Sequence, residues 1–277
     1  MGRRNHLEIV LCRVAEGAKL GGFAGIPMRE STMSSTSKIE QVKSLFDIPD
    51  KYLSPRQFDI QIRVETVKEF TKDLTLDRVL DIGCGDGSLS LPLLARCNRL
   101  TLLDVSSKML ELARRKVPAE RSADVNLING GFIGSNLSPQ SFDLILCVGV
   151  LAHVDSPGAV IAEIARLAKP GATIILEVTD SYHFWGWPVV LYQKLLKLLR
   201  PEPYALNRLK NRKVIGLCRE SGLQPVGLYR YGLPPLGTSK FAGQEQMYKM
   251  TRFLFGPSNR NRNGWMANEF IYRLQRA

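Results

Sequence analysis

The chain has 277 residues, 44% of them hydrophobic, enough to bury a sizeable core as one domain with embellishments rather than as two equal domains. Charge interrupts its apolar runs well short of the roughly 20 residues that a membrane-crossing helix needs. The five cysteines (Cys12, Cys84, Cys97, Cys147 and Cys218) are odd in number, widely spaced and without a CxxC pair, which argues against a disulfide frame and for a reducing, cytoplasmic setting.

The formal charge of +12 is unevenly placed. From Val190 to the end sixteen Lys and Arg face four Asp and Glu, whereas the first 189 residues balance at 22 against 22. The C-terminal part is therefore either a solvated basic face or the docking side for an anionic partner: a phosphorylated small molecule, an acidic lipid surface or RNA.

Residues 1–37, with "GAKLGGFAGIP" followed by "STMSSTS", show no sustained period and are expected to be poorly ordered. From Lys38 the pattern becomes regular. "KIEQVKSLF" and "QFDIQIRVETVKEFTKDL" carry apolar residues at helical spacing, the second with Ile60, Val64, Val67 and Phe70 as its stripe. The runs "RVLDIG", "LTLLDVS", "DVNLING", "FDLILCVG" and "ATIILEVTD" follow, connected by segments such as "SLSLPLLARC", "SSKMLELARRKV" and "GAVIAEIARLAK". Near-continuous apolar strands alternating with helices imply a parallel sheet covered on both faces, a doubly wound α/β domain that binds ligands at the carboxyl ends of its strands.

Beyond the fifth strand the alternation breaks. "SYHFWGWPVVLYQKLLKLLRPEPYALNRL" is aromatic, then amphipathic, then interrupted by Pro201 and Pro203. A helix "LKNRKVIGLCRESG", a strand "QPVGLYRYG", an insertion "TSKFAGQEQMYKMTRFLF" and a last strand "EFIYRLQR" complete the chain. We read 38–277 as one domain in which about 38–71, 181–207 and 236–258 are helical cap segments over the site. Trp185 and Trp187, then Val190, Leu191, Leu195 and Leu198 flanked by Lys194, Lys197 and Arg200, fit a membrane interface or a greasy acceptor pocket as well as ordinary packing.

In "VLDIGCGDG", residues 79–87, Gly83 and Gly85 let the backbone turn tightly and approach a ligand closely, with the amides that follow facing it. The dinucleotide fingerprint GxGxxG needs a glycine at position 88, where Ser88 stands. Asp81 precedes the glycines, where a carboxylate repels a pyrophosphate but accepts hydrogen bonds from an ammonium, directly or through water. Asp104 ends the next strand, where an acidic residue takes both hydroxyls of a ribose in many nucleotide sites. A ribose and a cation without a diphosphate describe S-adenosylmethionine.

In order and spacing, "VLDIGCGDG", "LLDVSSKMLELAR", "SFDLILCVGVLAHV" and "EIARLAKPGATIILE" resemble the successive motifs of class I S-adenosylmethionine-dependent methyltransferases over about residues 75–180. The likeness is strongest to the small-molecule O-methyltransferase branch that includes ubiquinone-biosynthesis enzymes. It implies a Rossmann-like sheet of seven strands, the last antiparallel, with S-adenosylmethionine as cofactor. Carried over by position, it implies cofactor contacts from Asp81, Gly83 and Gly85, the ribose carboxylate at Asp104 with Val105 beside it, and Met109 packed on adenine. The acid usual on the adenine side after the third strand is absent, and "NGGF" leaves Gly131 and Phe132 in its place. Cys147 and Val148 match the wall beside the methionine part, and Tyr52 and Arg63 are secondary candidates for its carboxylate.

Methyl transfer from a sulfonium asks mainly for in-line positioning in a dry pocket, with a base where the acceptor must lose a proton. His153, after the fourth strand, is the first candidate base, its alternative being a hydrogen-bonding role within the loop. Tyr182 and His183 are the further candidates, and an aromatic plug in the cap is their alternative. The position before the histidine is commonly acidic in that branch and is Ala152 here, so no metal site is expected. The resulting expectation is a methyltransferase acting on an oxygen of a small, anionic or lipid-like molecule, with peripheral membrane contact or packing on its own domain as the alternative roles of the amphipathic segment. An RNA methyltransferase using the basic C-terminal third and a noncatalytic scaffold with the same fold are the competing readings.

Overall fold

Five apolar runs of the sequence become parallel neighbours: β1 (Arg78–Ile82), β2 (Arg99–Asp104), β3 (Val125–Asn129), β4 (Phe142–Cys147) and β5 (Ala168–Thr179). The structure, a computed structural model, describes residues 35–53, 57–180, 207, 209–232 and 242–277. All of them belong to one unit, Ser34–Ala277. Of residues 1–37, read above as poorly ordered, 1–34 lie outside the described set and 35–37 open the first helix; also outside it are Tyr182, His183, the two tryptophans after them, the amphipathic stretch to Arg200, and residues 233–241 of the last cap segment.

The strand order is β3-β2-β1-β4-β5-β7-β6, where β6 is Leu223–Tyr231 and β7 is Glu269–Arg276. The expected last strand "EFIYRLQR" is β7, and it runs antiparallel to both neighbours, with Glu177 opposite Ile271 and Tyr231 opposite Glu269. The chain order reverses between β1 and β4, and in such sheets the crevice at the reversal, outside the carboxyl ends, is where ligands bind.

Helices cover both faces. On one side, α5 (Pro157–Leu167) and α6 (Asn211–Glu220) press Val160, Ile161, Ile164, Val214 and Ile215 onto the sheet. On the other lie α3 (Gln57–Thr71), α4 (Ser107–Lys116) and α7 (Gln244–Phe255), with Ile62, Val67, Leu110, Met247 and Phe255 in the second core. Ahead of them stand α1 (Ser35–Phe46) and the short α2 (Pro49–Leu53). Serines start two of these helices: Ser106 Oγ accepts from Met109 N at 3.2 Å, and Ser156 Oγ from Ala159 N at 3.3 Å. "SLSLPLLARC" forms only a 3-10 turn, Leu91–Arg96, with Pro92 in its first turn.

One helix sits differently from its pattern. The stripe expected on α3 is Ile60, Val64, Val67 and Phe70, yet its buried face is Phe58, Asp59, Ile62, Arg63, Thr66, Val67 and Thr71. Buried charge turns the helix away from the orientation that hydrophobic spacing alone would choose. The described part of the last cap segment, α7, packs on α3: Phe58 N donates to Gln244 Oε1 at 3.2 Å, and Arg252 pairs with Glu65.

Candidate active site

The bend after β1 is fixed by the strand beside it. Gly83 N and Cys84 N both donate to Leu103 O, at 2.8 and 3.1 Å, and Gly85 N donates to Asp104 Oδ2 at 2.8 Å. Gly83 and Gly85 have φ of +67° and +54°, the left-handed region that side chains rarely adopt. At Gly83 a Cβ would also lie 2.6 Å from Val150 Cγ2, so the residue is required twice over.

Asp104 stands at the end of β2 with each carboxylate oxygen held by a backbone donor, Oδ2 by Gly85 N and Oδ1 by Ser106 N, both at 2.8 Å. Each oxygen keeps a lone pair for a ligand. Burial raises its pKa above the ordinary carboxylate value, while the N–H groups of Ser106, Gly85 and Val105 oppose that rise by stabilising the charge. Ser106 Oγ donates to Asp47 Oδ1 at 2.7 Å, which ties the turn after α1 to the start of α4.

These groups line a cavity of about 400 Å³. It gathers Gly83, Gly85, Asp104, Val105, Met109, Gly131, Phe132, Val148 and His153, residues that sequence reasoning named from four separate segments. Asp81 and Cys147 do not reach it. Asp81 is 3% exposed and accepts a hydrogen bond from Ser90 Oγ at 2.6 Å; burial raises its pKa, and although that bond opposes the rise the value is pushed up to about 7. Cys147 is fully buried in the core at the end of β4, where burial pushes its thiol pKa up. Arg63 is not part of the wall either, its guanidinium being paired with Glu177 and Asp59. The side chain of Tyr52 lies outside the described residues.

His153 enters the cavity from the loop after β4. Its N–H donates to Val150 O at 2.8 Å, and its ring meets Phe46 edge-on with centroids 5.3 Å apart. Phe46 belongs to a stripe that sequence reasoning left unassigned: Ile39, Val42 and Phe46 project from α1 into the cavity. Their spacing of three and four residues was the available signal. Asp155 and Ser156, next to His153, also reach the wall and were not singled out.

The donor set favours one kind of ligand. Among the described residues the lining has two carboxylates, Asp104 and Asp155, one histidine and one serine, and no Lys or Arg; the remainder are apolar or glycine. Such a wall suits a nucleoside bearing positive charge and lacks the cations that a diphosphate would call for. The residues present therefore fit S-adenosylmethionine better than a dinucleotide.

A glycine bend facing a strand-end carboxylate on the neighbouring strand, beside a topological switch point, is the arrangement of a nucleoside-binding Rossmann-like site. Known proteins narrow this. Residues 80–176 match the family model described as a methyltransferase domain. The Ubiquinone biosynthesis O-methyltransferase of Bordetella bronchiseptica is 26% identical over 194 residues, spanning 65% of this chain and 76% of that protein. Its namesake from Vibrio cholerae is 25% identical over 220 residues, 74% of this chain and 88% of that one. Among solved structures, a Thermotoga maritima S-adenosylmethionine-dependent methyltransferase, described as a possible histamine N-methyltransferase, superposes with a TM-score of 0.61 at 17% identity, covering 87% of this chain and all of that one. The magnesium protoporphyrin IX methyltransferase of Synechocystis, with bound S-adenosylhomocysteine, gives 0.59 at 17% identity with the same coverage. The structural likeness is one of fold; the family model, matched over residues 80–176, and the relatives support an S-adenosylmethionine-dependent methyltransferase.

Proposed function

We propose that the enzyme transfers the methyl group to an oxygen of a small, predominantly apolar acceptor. The observation that carries this reading is the composition of the cavity: Asp104 at one side, His153 with Asp155 and Ser156 at another, and apolar side chains between them. When bound, S-adenosylmethionine supplies a methyl group made electrophilic by its sulfonium. In this reading Asp104 takes the ribose hydroxyls, Met109 and Phe132 flank the adenine, Gly83, Gly85 and Gly131 offer backbone contact, and Val105 and Val148 pack alongside. His153 receives the acceptor's hydroxyl proton at a ring nitrogen, and Phe46, edge-on to that ring, restricts its rotation. The stripe of α1 keeps water out.

The names of the relatives support oxygen as the acceptor atom. The absence of Lys and Arg from the described wall favours a neutral acceptor over the anionic one also expected from the sequence. No observation among the described residues favours RNA as acceptor or a noncatalytic scaffold.

The test is a screen of phenols and catechols with labelled methyl donor, with the product bond identified by mass spectrometry. O-methyl products are expected. His153→Ala should lower kcat by about 10² to 10⁴, the usual contribution of a positioned base, with cofactor affinity changed less than about threefold. Methylation of amines in preference to phenols overturns the oxygen assignment, and near-normal kcat in the variant leaves His153 a purely structural residue.

A further inference from the structure

Among the described residues, none of the basic surplus of the C-terminal third lines the cavity described above, whose lining runs from Ile39 to Val160. Part of that surplus lies beside exposed apolar side chains at the end of α7. That helix buries Met247, Thr251 and Phe255 and turns Lys249, Met250 and Phe253 outward on its opposite face. Phe253 is 79% exposed and Met250 38%.

The loop after the helix folds back onto its last turn. Arg262 N donates to Phe255 O at 2.8 Å, and Asn263 Nδ2 to Leu254 O at 2.8 Å. Trp265, 64% exposed, therefore stands on the turn that follows, Gly264–Met266, at the same corner as the end of α7. The loop is also fastened to the edge strand: Asn261 accepts from Arg230 N at 3.1 Å and donates to Arg230 O at 2.7 Å, occupying the pairing groups of β6. This corner is thus a braced surface. Arg260 and Arg262 are exposed within it, and among the described residues from Gln244 onward the acids are Glu245, already paired with Lys249 at 2.6 Å, and the buried Glu269.

We propose that this corner, Met250, Phe253 and Trp265 with Arg260 and Arg262, docks the enzyme on an anionic lipid bilayer. Large apolar tips beside two cations that, among the described residues, make no ion pair within 4 Å are the composition of an interfacial contact: the rings enter the headgroup boundary and the guanidinium groups meet lipid phosphates. A second copy of the chain would bring Arg260 and Arg262 near their own counterparts. An RNA site aligns rings and cations along a groove that tracks the backbone, whereas here they project from a helix end and a turn. The proposal stands independently of the acceptor's identity.

The test is co-sedimentation of the full chain with vesicles of phosphatidylcholine alone and with phosphatidylglycerol added at 30 mol%, a composition on the order of the anionic leaflets that attract basic segments. Binding is expected to the anionic vesicles and to be at least about tenfold weaker on neutral ones, since each cation near such a surface contributes about fivefold. Phe253→Ser with Trp265→Ser, and separately Arg260→Gln with Arg262→Gln, should each weaken binding about tenfold or more, on the scale of those contributions, and leave cofactor affinity and turnover in detergent unchanged. All four side chains are solvent-exposed, so loss of folding is not the expected cause of a deficit. Absence of binding to the anionic vesicles overturns the proposal. So does undiminished binding by both variants, which would move the contact to another surface. Binding of a single-stranded RNA that the arginine variant abolishes, without vesicle binding, assigns the corner to nucleic acid and likewise overturns it.

Discussion

The two ends of the strand order, the cavity side around β1 and β2 and the far side at β5, β7 and β6, treat buried carboxylates differently. On the cavity side, Asp104 is held by two backbone N–H groups of its own and the neighbouring loop, which leaves lone pairs directed at a ligand. On the far side, where β5, β7 and β6 meet α3, three carboxylates surround one guanidinium. Arg63 Nε donates to Glu177 Oε1 at 2.9 Å, Arg63 Nη2 lies 2.9 Å from Glu177 Oε2, and Arg63 Nη1 is 3.2 Å from Asp59 Oδ2. The Tyr231 hydroxyl lies 2.7 Å from Asp59 and 3.1 Å from Glu177, and Thr179 donates to Glu269 at 2.8 Å. With one cation among three acids, charge is not balanced. Burial, reinforced by the neighbouring carboxylates, raises Glu177 and lifts Glu269 well above the ordinary range. Backbone donors free a carboxylate for ligands; side-chain partners commit it to the fold. The two regions meet at Gly149, a cavity residue at which a Cβ would stand 3.8 Å from both Arg63 Nη1 and Glu177 Oε2.

The sharpest way to break this division is Arg63→Met. Removing one partner of a buried ion pair strands the remaining charges, so the variant should lose about 3–5 kcal/mol of unfolding free energy at neutral pH, measured by denaturant titration. The deficit should shrink under mild acid, where the stranded carboxyls take up protons. A stability close to that of the parent chain would show that the cluster is not what braces α3 against β5. A variant that stays folded but loses cofactor affinity would instead make Arg63 part of the ligand site and erase the contrast.

Asp104→Ala tests the other side. Its effect should fall on binding: about 30- to 150-fold weaker affinity for S-adenosylmethionine by calorimetric titration, the equivalent of roughly 2–3 kcal/mol for hydrogen bonds to a charged group. The N–H groups of Gly85 and Ser106 lose their acceptor, so some stability should go as well, but less than with Arg63→Met. Unchanged affinity in a folded variant would remove Asp104 from the ribose role.

Legibility in the sequence follows the same line. The cavity side was readable because its groups sit in short contiguous motifs, a strand and its turn, so that Gly83, Gly85, Asp104, Met109 and Val148 could be named before any contact was known. What such motifs do not reveal is which face of a strand a residue takes, and Asp81 and Cys147, adjacent to the wall in sequence, are buried away from it. The far cluster was unreadable for another reason. Asp59 and Arg63 share a helical face four residues apart, but they meet Glu177 and Tyr231, with Glu269 alongside, only because β7 enters antiparallel between β5 and β6. Hydrophobic spacing then misplaced the inner face of α3, since the rule assumes that charge faces water.

Asp81 is the case that the division handles least easily, and its substitution should have the smallest net effect. It lies on the cavity side, yet its carboxylate accepts from a side-chain hydroxyl, Ser90 Oγ, and burial pushes its pKa up to about 7. The folded chain therefore keeps a proton that the unfolded chain releases above the ordinary aspartate pKa of about 4. This contribution to stability is fully present below about pH 4 and is lost as pH rises toward 7. Asp81→Asn removes the titration but buries an amide whose donors need partners, so the two chains should differ by only about 1 kcal/mol at pH 7. The informative quantity is the slope. Between pH 4 and pH 7 the parent should lose stability relative to the variant, by up to roughly 1.4 kcal/mol per pH unit for one proton. Parallel curves would mean that Asp81 is already ionised in the fold, which would put it with Asp104 among the carboxylates kept charged for a cationic ligand.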